Sequence, residues 1–468
     1  MRIIDHISIE IYNELLVEYE KNIKQNGHYL NVFGIFMHEI MIYLSNFVQI
    51  KNSKSQYDYE IEFPFLNSNY IEYPFEVNNS NLNKLRPQSF KRLLVKALFF
   101  FFRFGKKCSY SNDISGEVLK FSTSHLFKIQ MEYINDVKCF LPNKDDQFSK
   151  LNKFLYRFCE KNEVKNSEIF CNNFISYIDQ FIQDKPPVIN SALFLSSSNL
   201  ILNNRIIASH FLENNKSVIA FAHGEHDMLA LDDPASGYGE MSYCTYFVSY
   251  GSNNLVYEKY NKPLKGHSPI IKRRDSAIVR SFYKSSKINT QKDSDNGLYI
   301  ANGFNANYKW GPFQHHDDEF YMEWQNILYS INNNLAYKSH PSSRSNEIPL
   351  KASTILDGNL NKINLQKYGY IVIDFFSTAM AVSSASNLPI IYFNLGLMNL
   401  NDKAKSDLKK RVYWVDINLK GDIKEQVTSG FKGFFSSTRK FNKQYSVNYS
   451  LSNSKLKNIL NSIIFKSE

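Results

Sequence analysis

The stretch FAHGEHDMLALDDPASGYGE, residues 221–240, places two His, three Asp, two Glu and three Gly within twenty positions. It continues the apolar run SVIAF, which is typical of a buried strand. Carboxylates that share a cleft push each other's pKa values apart, which yields a base or nucleophile beside an acid. Glycines allow a backbone to approach a ligand closely or to adopt positive φ. The candidate catalytic side chains of this loop are His223, Glu225, Asp232, Asp233 and Glu240.

The same loop also contains nitrogen and oxygen donors that suit a metal ion. These donors are His223, Glu225, His226 and Asp227. Two-residue spacing at a strand end can bring such donors together on a metal, but no distant further ligand is evident in the sequence. We therefore favour acid–base chemistry at this loop and expect no metal.

A second loop, KSHPSS at 338–343, has the composition of an anion site. Lys338, His340 and Ser342 can all donate hydrogen bonds to a phosphate or carboxylate. Pro341 biases His340 toward extended backbone geometry. The alternative is that His340 is simply packed in a turn.

A third loop begins at the end of the apolar run YIVI and reads DFFSTAMAVSSASNLP, residues 374–389. It delivers Ser377 and Thr378 to the start of a helix of small residues, where hydroxyls and backbone N–H groups bind phosphate well. Ordinary N-capping by either hydroxyl is the simpler interpretation. Asn302, in the loop after the run GLYI, is a further candidate for nucleotide binding.

Strands alternate with helices from residue 186 onward, which predicts parallel sheets with loops at the carboxyl ends of the strands. The polar segment KSSKINTQKDSDNG interrupts this pattern and is typical of a linker. We predict an α/β fold of two Rossmann-like domains facing a cleft. The predicted parts are an N-terminal domain at 1–283 (helical-rich 1–185, βαβ core 186–283), a linker at 284–297, a nucleotide-sugar-binding domain at 298–440 and a helical tail at 441–468.

The net charge of +10 favours anionic partners such as nucleotide phosphates or acidic sugars. The basic residues are dispersed apart from KRR at 272–274, so nucleic acid is not an expected partner. Five scattered cysteines without a CxxC pair, and no signal-peptide pattern, predict a reduced, cytoplasmic protein. The segment 86–107 is basic and aromatic-rich. We expect it either to lie at the inner membrane surface as a peripheral helix or to be a buried helix with snorkelling basic ends.

The order of these loops resembles GT-B glycosyltransferases, and within them the transferases that use CMP-activated acidic sugars such as Kdo, pseudaminic acid or sialic acid. The resemblance is carried by the HG loop, the HP dipeptide and the D-x-x-S-T motif, and it covers about residues 186–420. It implies that His340, Pro341, Ser377 and Thr378 hold the CMP phosphate and ribose. Val382 and Asn387 replace a Glu and a Gly of the family pattern, so the ribose contact would come from elsewhere, with Glu347 or Asp374 as candidates.

The resemblance implies a transfer of a 2-keto acid sugar from CMP to a surface-polysaccharide or lipid-linked acceptor, without cofactor or metal. Asp232 or Asp233 would act as base on the acceptor hydroxyl if configuration inverts, or as nucleophile if it is retained. Glu225 and Glu240 are secondary acid–base candidates, and His223 would face the sugar carboxylate. The alternative is a polyol-phosphate transferase of the teichoic-acid class that uses CDP-glycerol or CDP-ribitol and has similar HG and HP loops.

These assignments predict that Asp232→Ala or Asp233→Ala abolishes the release of CMP from a CMP-sugar. The fold should stay intact, because a loop carboxylate in a cleft contributes little to the core. CMP release and the circular dichroism spectrum of each variant measure the two properties separately. Full activity in both variants would contradict the assignment.

Overall fold

The computed structural model describes most of the chain outside a few loops and one long segment. The described residues are 3–52, 106–111, 129–134, 137–222, 224, 229–231, 234–252, 259–283, 296–303, 318–340, 354–356 and 360–465.

The first unit is built on a six-stranded parallel sheet in the order β2-β1-β3-β4-β5-β6. Its central strands are short apolar runs, as expected for parallel strands covered on both faces. In β3 every side chain is buried. The strands are β1 Lys106–Tyr110, β2 Ile129–Tyr133, β3 Leu193–Ser196, β4 Ser217–Phe221, β5 Tyr246–Tyr250 and β6 Ile270–Arg274.

Helices cover this sheet and form the extra helical material expected at the N-terminus. Residues 1–185, assigned from sequence to mixed and largely helical structure, also supply β1 and β2. The sheet therefore begins earlier in the chain than the βαβ core assigned to 186–283. The helices are α1 Ile3–Asn26, α2 Val32–Ile35, α3 Met37–Asn52, α4 Lys144–Lys161, α5 Ser167–Asp179 and α6 Leu202–Glu213. A further helix, α7 (Ala277–Phe282), follows β6 and packs Val279 against Ala381, Val382 and Ala385 further along the chain.

The second unit contains another six-stranded parallel sheet, in the order β12-β11-β10-β7-β8-β9. Counted along the chain from β7, this is the 3-2-1-4-5-6 order of the doubly wound nucleotide-binding fold. The strands are β7 Gly297–Ile300, β8 Leu335–Lys338, β9 Ile355–Leu356, β10 Tyr370–Ile373, β11 Ile390–Asn394 and β12 Tyr413–Asp416. The helices are α8 Asp318–Ile331, α9 Thr378–Ala385, α10 Asp402–Lys409 and α11 Ile423–Ser436.

The C-terminal segment returns to the first unit. It forms α12 (Gln444–Tyr449), whose Tyr445 and Tyr449 still pack in the core of the second unit, and then α13 (Leu456–Ile464), which buries its apolar side on β3, β4 and β5. Asp275 donates its backbone N–H to the Ser454 carbonyl at 3.0 Å, which fixes the approach of α13 to β6. Two Rossmann-like units with a C-terminal crossover give a GT-B-like architecture, which confirms the predicted fold class.

A buried ion pair attaches the N-terminal helices to the βαβ core. Arg205 on α6 is fully buried and donates to both carboxylate oxygens of Glu39 on α3, at 2.8 and 2.6 Å. It also donates to the carbonyls of Asn199 and Leu200 at 2.8 and 3.0 Å. Burial raises the pKa of Glu39, whereas the attraction of Arg205 lowers it. Each charge therefore depends on the other for its stability in the core.

Each helix in the described part of the chain is either too short or too polar to span a bilayer. The segment 86–107, assigned above to a membrane-surface or buried helix, lies outside the described residues except for its last two, which begin β1.

Arg205→Leu should lower the free energy of unfolding by about 3–5 kcal/mol, because it leaves the Glu39 carboxylate buried without its partner. The matched control is Arg157→Leu, which breaks a 2.8 Å pair with Glu18 in which the arginine side chain is 57% exposed. That pair should contribute less than about 1 kcal/mol. Denaturant unfolding of both variants measures the difference, and equal losses would contradict the role given to the buried pair.

Candidate functional site

The loops that follow β7, β8 and β10 begin at the same edge of the second sheet. β7 and β10 are neighbours, and their connections to β8 and β11 run in opposite directions, which is the arrangement that forms a ligand-binding crevice between two strand ends. Asn302 follows β7, His340 follows β8 and Ser377 follows β10. The structure thus brings to one edge the described members of the predicted nucleotide-binding set.

A buried carboxylate forms the base of this crevice. Asp374 follows β10 directly and is 2% exposed. Its oxygens accept hydrogen bonds from the Tyr299 hydroxyl at 2.5 Å, the Trp324 indole at 2.6 Å and the Tyr321 hydroxyl at 3.0 Å. Burial raises the pKa of Asp374 to about 6, although all three donors act to lower it. The cluster ties β7, β10 and α8 together beneath the crevice.

This cluster extends to the backbone of the loop after β7. Asn302 donates its backbone N–H to the Tyr321 hydroxyl at 2.7 Å, and the same hydroxyl donates to Asp374. A hydrogen-bond chain therefore joins the ends of β7 and β10. The ribose contact considered for Asp374 does not fit this arrangement, since the carboxylate is buried and already accepts three internal hydrogen bonds. Glu347, the other ribose candidate, lies outside the described residues.

His340 and Lys338 occupy the end of β8. His340 is half-buried and its ring packs on Gly303, where an added Cβ would come within 3.0 Å of Nδ1. A glycine at 303 therefore makes room for the imidazole at the mouth of the crevice. Lys338 is buried, and its ammonium donates to the Ser339 carbonyl. The roles of His340 and Lys338 in phosphate binding stay predictions.

Ser377 is the N-cap of α9. Its hydroxyl accepts a hydrogen bond from the Ala379 backbone N–H at 3.3 Å, and Ser377 and Thr378 are both half-buried at the crevice edge. Two cations occupy the opposite end of the helix. Arg411 donates to the Ser384 carbonyl at 2.7 Å, and Lys443 donates to the Ala385 carbonyl at 2.7 Å. They offset the negative end of the helix dipole.

In the first unit, Glu240 lies in a buried π-helical turn, Ser236–Met241. It is 1% exposed and accepts a hydrogen bond from the Ser198 hydroxyl at 2.6 Å. The glycines of this turn serve packing. An added Cβ at Gly237 would lie 2.1 Å from the Lys262 carbonyl oxygen, and one at Gly239 would lie 2.2 Å from a methyl group of Leu200. We expected these glycines to make space for a ligand. At Gly237 and Gly239 the missing side chain instead allows close packing inside the first unit.

Six predicted site residues lie outside the described residues. They are His223, Glu225, Asp232, Asp233, Pro341 and Ser342. The same holds for His226 and Asp227 of the alternative metal set. Within the part of the chain that is described, no group of three or more His, Cys, Asp or Glu side chains is placed to hold a metal.

The middle of the 221–240 loop contacts the second unit. Ala230 pairs with Leu400 in an antiparallel bridge. Leu231 donates its N–H to the Asn399 carbonyl at 2.7 Å, and Asn401 donates to the Leu229 carbonyl at 2.8 Å. The loop expected to supply the catalytic carboxylates therefore spans the two units.

Sequence reasoning missed a group of hydroxyls at the carboxyl edge of the first sheet. Ser111 follows β1 and Ser197 follows β3, and the order of the sheet reverses between these two neighbouring strands. Their hydroxyl oxygens lie 3.4 Å apart. The sequence feature that could have indicated these hydroxyls is the run SSSN at 196–199, at the end of an apolar strand. Its partner strand KKCSY lacks an apolar pattern, so the pairing could not be read from the sequence.

No family model matches this chain, and no curated protein matches it. Among solved structures it is similar to a protein described as a UDP-N-acetylglucosamine 2-epimerase from Listeria monocytogenes, at 9% identity over 77% of this chain and 96% of that chain, with a TM-score of 0.39. It is also similar to the spinosyn rhamnosyltransferase SpnG, at 8% identity over 76% and 99% of the two chains, with a TM-score of 0.38. A glycotransferase of kitacinnamycin gives 9% identity over 72% and 92%, with a TM-score of 0.32.

Two tyrosines of α8 give a matched test of the cluster beneath the crevice. Tyr321→Phe removes the hydroxyl that accepts from the Asn302 N–H and donates to the buried Asp374 carboxylate, so the free energy of unfolding should fall by about 1–3 kcal/mol. Tyr329 is equally buried, but its hydroxyl has no hydrogen-bond partner among the described residues. Tyr329→Phe should therefore leave the stability unchanged or raise it.

Denaturant unfolding measures both variants under the same conditions. A loss in Tyr329→Phe as large as that in Tyr321→Phe would show that the hydrogen-bond chain to Asn302 contributes nothing specific.

Proposed function

We propose that the protein is a glycosyltransferase that transfers an acidic 2-keto sugar from its CMP-activated form to a glycan acceptor. The second unit would bind the nucleotide, and the first unit would bind the acceptor and supply the catalytic carboxylate. The donor would be Kdo or a nonulosonic acid such as pseudaminic acid. The acceptor would be a surface polysaccharide or a lipid-linked precursor of it.

One observation carries the proposal. Asn302, His340 and the Ser377 end of α9 lie at the carboxyl edge of a 3-2-1-4-5-6 sheet, around the crevice between β7 and β10. Sheets of this order bind nucleotides at this position. The start of α9 offers backbone N–H groups and the positive end of its dipole to a phosphate. The hydrogen-bond chain through Tyr321 and Asp374 would keep the two sides of the crevice in place.

The reaction requires hydrogen-bond donors that stabilise the departing phosphate. As the bond between the anomeric carbon and the phosphate oxygen breaks, charge develops on CMP, and fixed N–H and imidazole donors lower the energy of that state. The acceptor hydroxyl forms the new bond to the anomeric carbon and gives its proton to a carboxylate. Asp232 or Asp233 is the proposed base in an inverting reaction, with Glu225 or Glu240 in secondary roles.

A screen for nucleotide binding tests the proposal. CMP should raise the melting temperature more than CDP or UDP does, since a ligand that binds the native state stabilises it by mass action. Incubation with a CMP-activated acidic sugar and an oligosaccharide acceptor should then release CMP. A selective response to CDP, with glycerol phosphate on the product, would instead establish the polyol-phosphate transferase.

His340→Ala and Ser377→Ala should each weaken CMP binding about tenfold, because each removes a donor to an anionic group. Ser276→Ala is the control for loss of an N-cap. Its hydroxyl accepts from the Val279 N–H at 3.2 Å at the start of α7, the helix that follows β6 of the first sheet. Calorimetric titration of CMP into the three variants separates the loss of a hydrogen bond to the phosphate from the loss of a helix N-cap. Unchanged affinity in both site variants would overturn the assignment of the crevice.

A further inference from the structure

The 221–240 loop is fixed to the first unit at both of its ends. At its start, Ala222 donates its N–H to the Val248 carbonyl at 3.0 Å, which continues the pairing of β4 with β5. At its end, the Ser242 hydroxyl donates to the Gly237 carbonyl at 2.7 Å and accepts from the Leu264 N–H at 2.8 Å. Both ends must therefore move with the first sheet.

The middle of the loop is fixed to the second unit. The side chain of Leu229 is 2% exposed and lies in the apolar core formed by β7, β10, β11 and α10. Among the described residues, it is the only fully buried member of that core that comes from the chain before β7. The bridge between Leu229–Leu231 and 399–401 adds two backbone hydrogen bonds.

A residue of the first unit also contacts this bridge. Asn261 is fully buried and donates its side-chain amide to the Ala230 carbonyl at 2.9 Å. The buried carbonyl oxygen of Ala230 thereby has a hydrogen-bond donor. In its described part the loop is thus held at three places, and of these only the middle one contacts the second unit.

We infer that Leu229 is a positioning residue, which holds the carboxylate-bearing loop of the first unit against the nucleotide-binding unit. The inference rests on the proposed function for its catalytic consequence. Asp232 and Asp233 follow Leu231 directly in the sequence, so the bridge limits how far these carboxylates can move from the second unit. Misplacement of a catalytic group by about 1 Å can lower the rate by about 100-fold without any change in the groups that bind substrate.

The kinetic test compares two leucines of the same core. Leu229→Ala should lower kcat by about 100-fold and leave the KM for the donor within about threefold, because the nucleotide crevice is unaltered. Leu229→Met should keep a kcat close to that of the wild type, since methionine has nearly the volume of leucine. Leu365→Ala is the matched control. It truncates a buried leucine of the same core that is 7% exposed and outside the loop, and it should keep the wild-type kcat.

The inference is overturned if Leu229→Ala keeps the wild-type kcat, or if Leu365→Ala loses as much activity as Leu229→Ala. Should Leu229→Ala fail to fold, Leu229→Val removes less volume and must give an intermediate kcat.

Hydrogen exchange gives a readout that does not depend on activity. The amides of Leu231 and Asn401 should be protected in the wild-type protein and in Leu365→Ala, and should exchange faster in Leu229→Ala. Free exchange of these amides in the wild type would also overturn the inference. A wild-type protein that binds no CMP and transfers no sugar would refute the proposed function instead, and the exchange result would then decide the anchoring role by itself.

Discussion

Every strand in both sheets is parallel to its neighbours, so every loop that follows a strand emerges at the same edge of its sheet. This constraint places polar side chains from distant parts of the sequence next to one another. In the second unit it brings Asn302, His340 and Ser377 to one crevice. The crossover from β7 to β8 and the one from β10 to β11 run in opposite directions, and this reversal is what places a crevice between β7 and β10.

A buried carboxylate and its hydrogen-bond donors hold the strands and the helix beneath the crevice together. The Asp374 carboxylate is buried, and its three donors come from β7 and α8. A buried carboxylate without those donors would be strongly unfavourable, so β7, β10 and α8 must keep their mutual positions. The result is a rigid base beneath the carboxyl ends of β7 and β10. Arg205 and Glu39 fulfil a comparable structural role in the first unit, far from that crevice.

Much of the fold could be predicted from the sequence, because the central strands are continuous apolar runs. SVIAF, GLYI and YIVI were assigned correctly as β4, β7 and β10. The strands β1 and β2 were missed because KKCSY and IQMEY mix charged and apolar residues. Periodicity identifies a strand by its buried face, and these two offer too few apolar positions to reveal one.

The site was predictable only in part. Local sequence identified Ser377, whose capping role depends on residues two positions away. It could not identify the partners of Asp374, since Tyr299 and Tyr321 are 75 and 53 residues distant in the chain. It also misjudged Gly237, whose requirement comes from contact with the Lys262 backbone. Contacts of this kind follow from tertiary packing and leave no local pattern.

Both proposals depend on a nucleotide site in the second unit, in the crevice between β7 and β10. The decisive measurement is a crystal structure of the protein soaked with CMP. We expect the phosphate at the start of α9, within hydrogen-bonding distance of Ser377 or Thr378, with His340 beside it. Nucleotide density at any other position, with this crevice empty, would refute this site.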